Sequence, residues 1–202
     1  MTTKIPFVNS KNYWQERYNN NGNSGAGSYG RLAQYKANIL NNFVEKKFIK
    51  SVIEFGCGDG NQLALTSYNS YIGVDVSMDA LNLCKTKFKN DKSKQFILSE
   101  NYKLHIADLT LSLDVVYHLT EDDVYYSYLK RLFDSSKKYV IIYSSNDENL
   151  ETDAKHIRHR NFITNVPNNF ELINIHKNKY PWNPKDKKNT SFCDFYFFRK
   201  IA

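Results

Sequence analysis

The sequence predicts an α/β fold built on a mostly parallel sheet. Three observations carry that expectation. The apolar run Val52-Ile53-Glu54-Phe55 ends in the glycine turn Gly56-Cys57-Gly58-Asp59-Gly60. Fifteen residues beyond Gly60, a second apolar run, Tyr71-Ile72-Gly73-Val74, ends in Asp75. Short apolar runs then alternate with helix-period segments until two strand-like segments close the chain, and such alternation is the pattern of parallel sheets.

In chain order, Tyr13, Trp14, Arg17 and Tyr18 fall at helical spacing and predict a short amphipathic helix. The glycine/serine run of residues 21–30 follows. With no separate domain ahead of it for a linker to join, it is expected to be a mobile lid. Leu32, Tyr35, Ile39, Leu40 and Phe43 keep the helical period and predict a helix over 31–48. Strand one is expected at about 51–55, a short helix opens at Gly60, and strand two covers about 71–74. Ser77 is placed to cap a helix running to about Lys89, with Ala80, Leu81 and Cys84 on its inner face. Gln95–Leu98 reads as strand three. The stretch from Ile106 to Leu113, apolar and polar by turns, reads as strand four. Glu121-Asp122-Asp123 marks a helix start, because acids favour the positive end of the helix dipole. Tyr125, Tyr128, Leu129 and Leu132 continue that helix. Lys138–Tyr143 is expected to be a buried strand five. Glu171–His176 and Asp194–Arg199 are two more strands, joined by a long Lys/Asn/Pro loop.

The order strand, glycine loop, helix, strand, acid suits a nucleoside. Glycines let the backbone approach it, and the second acid accepts hydrogen bonds from ribose hydroxyls. A dinucleotide site wants G-x-G-x-x-G, whose third glycine lies beside a pyrophosphate. Here the spacing is Gly56-x-Gly58-x-Gly60, and Asn61 stands where that third glycine would fall. Glu54 adds a carboxylate that suits a cationic ligand. On these motifs the chain resembles the class I S-adenosylmethionine-dependent methyltransferases. Their first motif reads as an acid followed by G-x-G-x-G, and their second is an acid ending strand two.

The resemblance covers nearly the whole chain. It implies a Rossmann-like, mostly parallel seven-stranded sheet with a C-terminal antiparallel hairpin and helices on both faces. Trp14-Gln15-Glu16-Arg17-Tyr18 followed by a glycine/serine loop is similar to the N-terminal cover of several small-molecule methyltransferases. Residues 1–30 are therefore expected to cover a single catalytic domain spanning 31–202.

The resemblance also implies S-adenosylmethionine as cofactor. Its binding residues are expected to be Glu54, Gly56, Cys57, Gly58 and Asn61 in the first motif, and Asp75, Val76 and Ser77 after strand two. Glu100 or Ser99 is expected near the adenine, and Leu113 and Asp114 near the methionine part. Asp75 would accept from both ribose hydroxyls, left free by a Ser77 that caps the next helix. Cys57 is read as a small residue that fits a tight turn.

The stretch from Ser112 to Leu119 resembles the family's fourth motif, at the edge of the sheet where open α/β folds bind ligands. His118 is the candidate general base there, with a structural histidine bonded to a backbone carbonyl as its competing role. Asp114 is the second catalytic candidate, as a group that orients an acceptor amine. The sulfonium is already activated, so the enzyme's main work is placing the acceptor in line. Tyr117, His118, Tyr143, Arg158 and Arg160 are candidate acceptor contacts, since guanidinium forks match phosphates and carboxylates. The region Tyr139–Asn146, the cluster His156-Ile157-Arg158-His159-Arg160 and Tyr180-Pro181 resemble methyltransferases found among bacterial surface-glycan and natural-product genes.

The chain has 202 residues and is 41% hydrophobic, which fits one globular domain. Net charge is +7. Residues 151–202 hold ten Lys and Arg against five Asp and Glu, so +5 of the excess lies there. That asymmetry points to an anionic acceptor, or to a solvated lysine-rich face. The expected reaction is methylation of an oxygen or nitrogen on a small, anionic acceptor such as a sugar, sugar nucleotide or phosphorylated metabolite. A nucleic-acid methyltransferase is the alternative. The chain lacks the Asp/Asn-Pro-Pro-aromatic motif that holds a flipped base, which weighs against it. No apolar run approaches the roughly 20 residues of a membrane span, and the N-terminus has no signal-peptide core, so a cytoplasmic location is expected. Cys57, Cys84 and Cys193 are too few and too scattered to suggest a disulfide framework or a zinc site, and no metal is expected.

Overall fold

A computed structural model describes residues 7–201. The N-terminus read for a signal core, and the first six residues of the expected cover, lie outside the described residues. Four α-helices and seven strands follow the expected order: α1 Ser10–Asn19, α2 Gly30–Lys46, β1 Val52–Phe55, β2 Tyr71–Asp75, α3 Met78–Lys87, β3 Lys94–Leu98, β4 Ala107–Leu113, α4 Asp122–Asp134, β5 Ser136–Ser144, β6 Phe170–His176 and β7 Asp194–Lys200. The sheet order is β3-β2-β1-β4-β5-β7-β6. The first five strands pair in parallel. β7 inserts antiparallel between β5 and β6. This is the mostly parallel seven-stranded sheet with antiparallel C-terminal strands that the sequence predicts.

Alternate side chains of the strands feed two cores. Leu40 of α2 and Leu81 and Cys84 of α3 pack on one face, against Leu109, Leu111 and Ile141. Tyr125, Leu129, Leu132 and Phe133 of α4 pack on the other, against Ile53, Val140 and Ile142. Each fully buried leucine here contributes about 1.5–3 kcal/mol. Helices therefore cover both faces, and every residue of the central β4 is buried. Its polar members are bonded inside: Thr110 Oγ1 donates to Leu132 O at 2.9 Å, and Ser112 Oγ accepts from Tyr128 at 2.7 Å.

The helix expected after Gly60 is reduced to one 3-10 turn, Leu63–Leu65. Thr66, Ser67, Asn69 and Ser70 compete for backbone hydrogen bonds and disfavour helix. Ser77 caps α3 as expected, its Oγ accepting from Ala80 N. No helix among the described residues is long and apolar enough to cross a membrane.

Candidate active site

A cavity of about 270 Å³ opens at the carboxyl ends of β1, β2 and β4, roofed by α1 and the loop behind it. The glycine turn forms its floor. Gly56 and Gly58 hold φ of 81° and 56°, a left-handed conformation that residues with a Cβ adopt only under strain. Space also demands glycine at 58, because a Cβ there would lie 2.2 Å from Ser24 Oγ in the roof.

Asp75 is buried beside this turn. One carboxylate oxygen accepts from Gly58 N at 2.9 Å and the other from Ser77 N at 3.0 Å. The carboxylate, expected from the sequence to be left free, is thus already bonded and oriented. The carboxylate keeps acceptor capacity for a ligand hydroxyl. Burial raises its pKa, against the hydrogen bonds from Ser77, Gly58 and Val76. Glu54 is buried too and accepts from Tyr71 Oη at 2.6 Å. Burial pushes its carboxyl up to about 7, despite that bond and the nearby Lys36. Gln62, which the sequence reading missed, also lines the cavity. Its Nε2 donates to Ala33 O at 3.1 Å, while its buried Oε1 has no partner. The cavity thus offers acceptors for a cation where Glu54 and Gln62 lie, and carboxylate lone pairs where Asp75 lies. Cys57, Val76, Ser99, Leu113 and Asp114 complete this part of the lining.

At the other end stands His118, buried and on the cavity wall. Its Nδ1 lies 2.9 Å from His156 O. A carbonyl only accepts, so Nδ1 carries the proton and Nε2 is the bare, accepting nitrogen. Burial lowers the imidazole to about 4, against the pull of that carbonyl bond. The ring is therefore neutral at pH 7. This is the carbonyl-bonded histidine that the sequence left as the competing role, and the bond fixes the tautomer a base requires. Trp14 of α1 meets His118 edge-on at 5.0 Å, and Tyr13 stacks on His156 at 4.2 Å. Asp114 lies beside them with φ of 59°. Its Oδ2 pairs with Lys36 Nζ at 2.5 Å, and its Oδ1 accepts from Tyr117 Oη at 3.1 Å.

Several expected site residues face elsewhere. Asn61 Nδ2 donates to Ser28 O at 2.6 Å, so it fastens the roof rather than lining the cavity. Ser77 is occupied in capping α3. Glu100 is exposed and pairs with Lys11 at 3.1 Å, leaving Ser99 as the lining residue of that pair. Tyr117 does not line the cavity; its Oη donates to Asp114 and its ring packs on His118, with centroids 4.3 Å apart. Tyr143 Oη accepts from Asn178 Nδ2 at 3.0 Å, away from the cavity. Arg158 and Arg160 share Asp122, at 3.0 and 2.7 Å, at the start of α4. They line a separate open recess with Tyr126 and Asn161.

The roof is held by Asp59, another residue the sequence reading passed over. Asp59 Oδ2 accepts from Ser24 N at 3.0 Å and from Tyr29 Oη at 2.7 Å. Burial opposes the Asp59 charge, but the hydrogen bonds from Ser24, Tyr29 and Asn61 outweigh it and lower its pKa. On the far side Gln15 Nε2 donates to Val76 O at 3.1 Å, and Ser10 Oγ to Glu121 at 2.6 Å. An acid between two glycines, followed at once by an amide, was the available signal for this anchor. For Lys36 the signal was a lysine inside the buried stripe Leu32, Ala33, Ala37, Leu40.

The donor set fits S-adenosylmethionine. Asp75 would hold the ribose diol, and Glu54 with Gln62 the ammonium. Phe55, Val74 and Val124 give apolar wall to the rest. Bound there, the cofactor supplies an activated methyl group.

Residues 53–141 match the family described as methyltransferase domain. No curated protein matches the chain by sequence. Among solved structures, the N-methyltransferase NodS from Bradyrhizobium japonicum WM9 in complex with S-adenosyl-L-homocysteine is similar at a TM-score of 0.74 and 11% identity, over 96% of this chain and 100% of that one. Magnesium protoporphyrin IX methyltransferase (ChlM) from Synechocystis PCC 6803 with bound SAM is similar at 0.64 and 13%, over 98% and 100%. The methyltransferase domain of bacterial CtHen1 is similar at 0.66 and 20%, over 85% and 100%. The match over residues 53–141 is to a methyltransferase domain, and the solved structures share this chain's fold; with the glycine turn and the donor set already described, both support an S-adenosylmethionine-dependent methyltransferase.

Proposed function

We propose that the protein moves the methyl group of S-adenosylmethionine to an oxygen or nitrogen of a small acceptor that bears an anionic group, such as a sugar, sugar nucleotide or phosphorylated metabolite of surface-glycan assembly. One observation supports it most. His118 presents a bare Nε2 in a neutral ring, at the end of the cavity where Asp114 stands. Such a nitrogen can take the proton that an O–H or N–H acceptor gives up as the methyl arrives. Asp114 would orient the acceptor. Residues 7–30, the described part of the expected cover, would act as a lid, because their polar fastenings at Asp59, Val76 and Glu121 can be exchanged with water at little cost.

The anionic part is supported by the separate recess that Arg158 and Arg160 line. Arg158 and Arg160 share the carboxylate of Asp122, and Glu148 also lines that recess, so the guanidinium forks rather than an excess of charge carry this part. The test is a mass-spectrometric screen of the purified protein with S-adenosylmethionine against pooled sugar phosphates, sugar nucleotides, amino alcohols and short RNA. A product heavier by one CH2 among the phosphorylated acceptors supports the proposal. Methylation of amino alcohols alone would remove the anionic requirement. Methylation of RNA alone would replace the proposal with the nucleic-acid alternative.

A further inference from the structure

We propose that Lys36 is a positioning residue for the methyl-transfer end of the cavity, the buried counter-ion that balances Asp114 and fixes it beside the cofactor's sulfonium. This rests on the S-adenosylmethionine assignment above. Lys36 belongs to the buried stripe of α2 and is itself fully buried. An ammonium out of water is costly unless it is paired. Its partner is Asp114 Oδ2 at 2.5 Å, and the Tyr143 ring centroid lies 5.2 Å from Nζ.

Asp114 is fixed at every other point. Its N–H donates to Tyr143 O at 2.9 Å, and its Oδ1 accepts from Tyr117 Oη at 3.1 Å. Its φ of 59° is one that residues with a Cβ rarely adopt. In the lid, Gly27 lies so close that a Cβ there would stand 2.7 Å from Asp114 Oδ2. The carboxylate is therefore clamped between α2, the end of β4 and the lid, and still lines the cavity.

The chemistry gives this pair a purpose. The sulfonium is a cation before transfer and a neutral thioether after it. A neutral Lys36–Asp114 pair leaves the cavity's preference between the two ligands small. Either charge alone would change that preference, and in opposite directions.

The test compares binding of S-adenosylmethionine and S-adenosylhomocysteine by calorimetry, near pH 8. It uses the unaltered protein, Lys36→Met, Asp114→Asn and the double variant. Lys36→Met should raise the ratio of the two affinities in favour of the sulfonium by about tenfold. Asp114→Asn should lower it by about tenfold, and the double variant should restore the original ratio. A purely structural role would weaken both ligands together and leave the ratio alone. Should Lys36→Met fail to fold, Asp114→Asn and the double variant, which buries neither charge, still decide. Unmoved ratios, or shifts of the same sign in both single variants, overturn the proposal. If the unaltered protein binds neither ligand, the cofactor assignment fails, and the role of Lys36 falls with it.

Discussion

At the Gly56–Gly60 end of the cavity Asp75 is held by backbone N–H groups, while at the His118 end Asp114 is held by the side chains of Lys36 and Tyr117. Asp75 accepts from Gly58 N and Ser77 N, in the loops that leave the adjacent parallel strands β1 and β2. His118, Trp14, His156 and Lys36 come from β4's exit, α1, the loop after β5 and α2. The first arrangement is local and rigid, and its backbone geometry tolerates few residues. The second is assembled over long separations, and its parts can be exchanged without disturbing the sheet. A conserved cofactor chemistry suits the first construction, and a variable acceptor suits the second.

This contrast can be broken most sharply at His118. Replacing it with Ala should lower turnover about a hundredfold or more, as for loss of a general base. Cofactor affinity, measured by calorimetry, should stay nearly unchanged. Equal turnover would remove His118 from the chemistry. Next comes Gly58→Val, which puts a Cβ at φ of 56° and against Ser24 Oγ and Tyr18 Oη. Backbone strain of about 1–3 kcal/mol and a displaced lid should lower Tm and cofactor affinity together. A variant that binds as tightly as the parent would show that the turn does not depend on glycine.

Glu54 sharpens the comparison through pH. With its carboxyl near 7 in the free protein, it is largely protonated below that value. An ammonium ligand prefers the carboxylate, so cofactor affinity should rise as pH passes from about 6 to about 8. Glu54→Gln should flatten that rise. The same shift acts on stability with the opposite sense. A raised folded pKa means that the free protein loses stability between about 4.5 and about 7 as pH rises. The smallest effect is expected at Arg158→Ala. Its exposed pair with Asp122 adds little to stability. Only the acceptor's KM should increase in the screen above, with kcat and Tm nearly unchanged.

The same contrast decides what the sequence made legible. All seven strands were readable because their apolar runs have one interpretation in an alternating α/β chain. Glu54, Gly56, Gly58 and Asp75 were readable because a tight turn and a strand end demand those residue types at fixed spacing. The short helix after Gly60 was overestimated, since the Thr/Ser/Asn residues that dissolve it carry weak local signals. Arg158 and Arg160 line a recess apart from the cavity, and that separation was not legible for a different reason. Their charge was visible, but Asp122, thirty-odd residues away in the chain, is what claims it. Lys36 and Gln62 were missed because burial of a polar side chain shows only once the partner, Asp114 or Ala33 O, is brought into place.

The central claim is that Asp75 holds the ribose of S-adenosylmethionine, and calorimetric titration of the unaltered protein and Asp75→Ala tests it most directly. Saturable one-site binding, weakened in the variant by about 1.5–3 kcal/mol, is the predicted result. Equal affinity in the two proteins would contradict the claim.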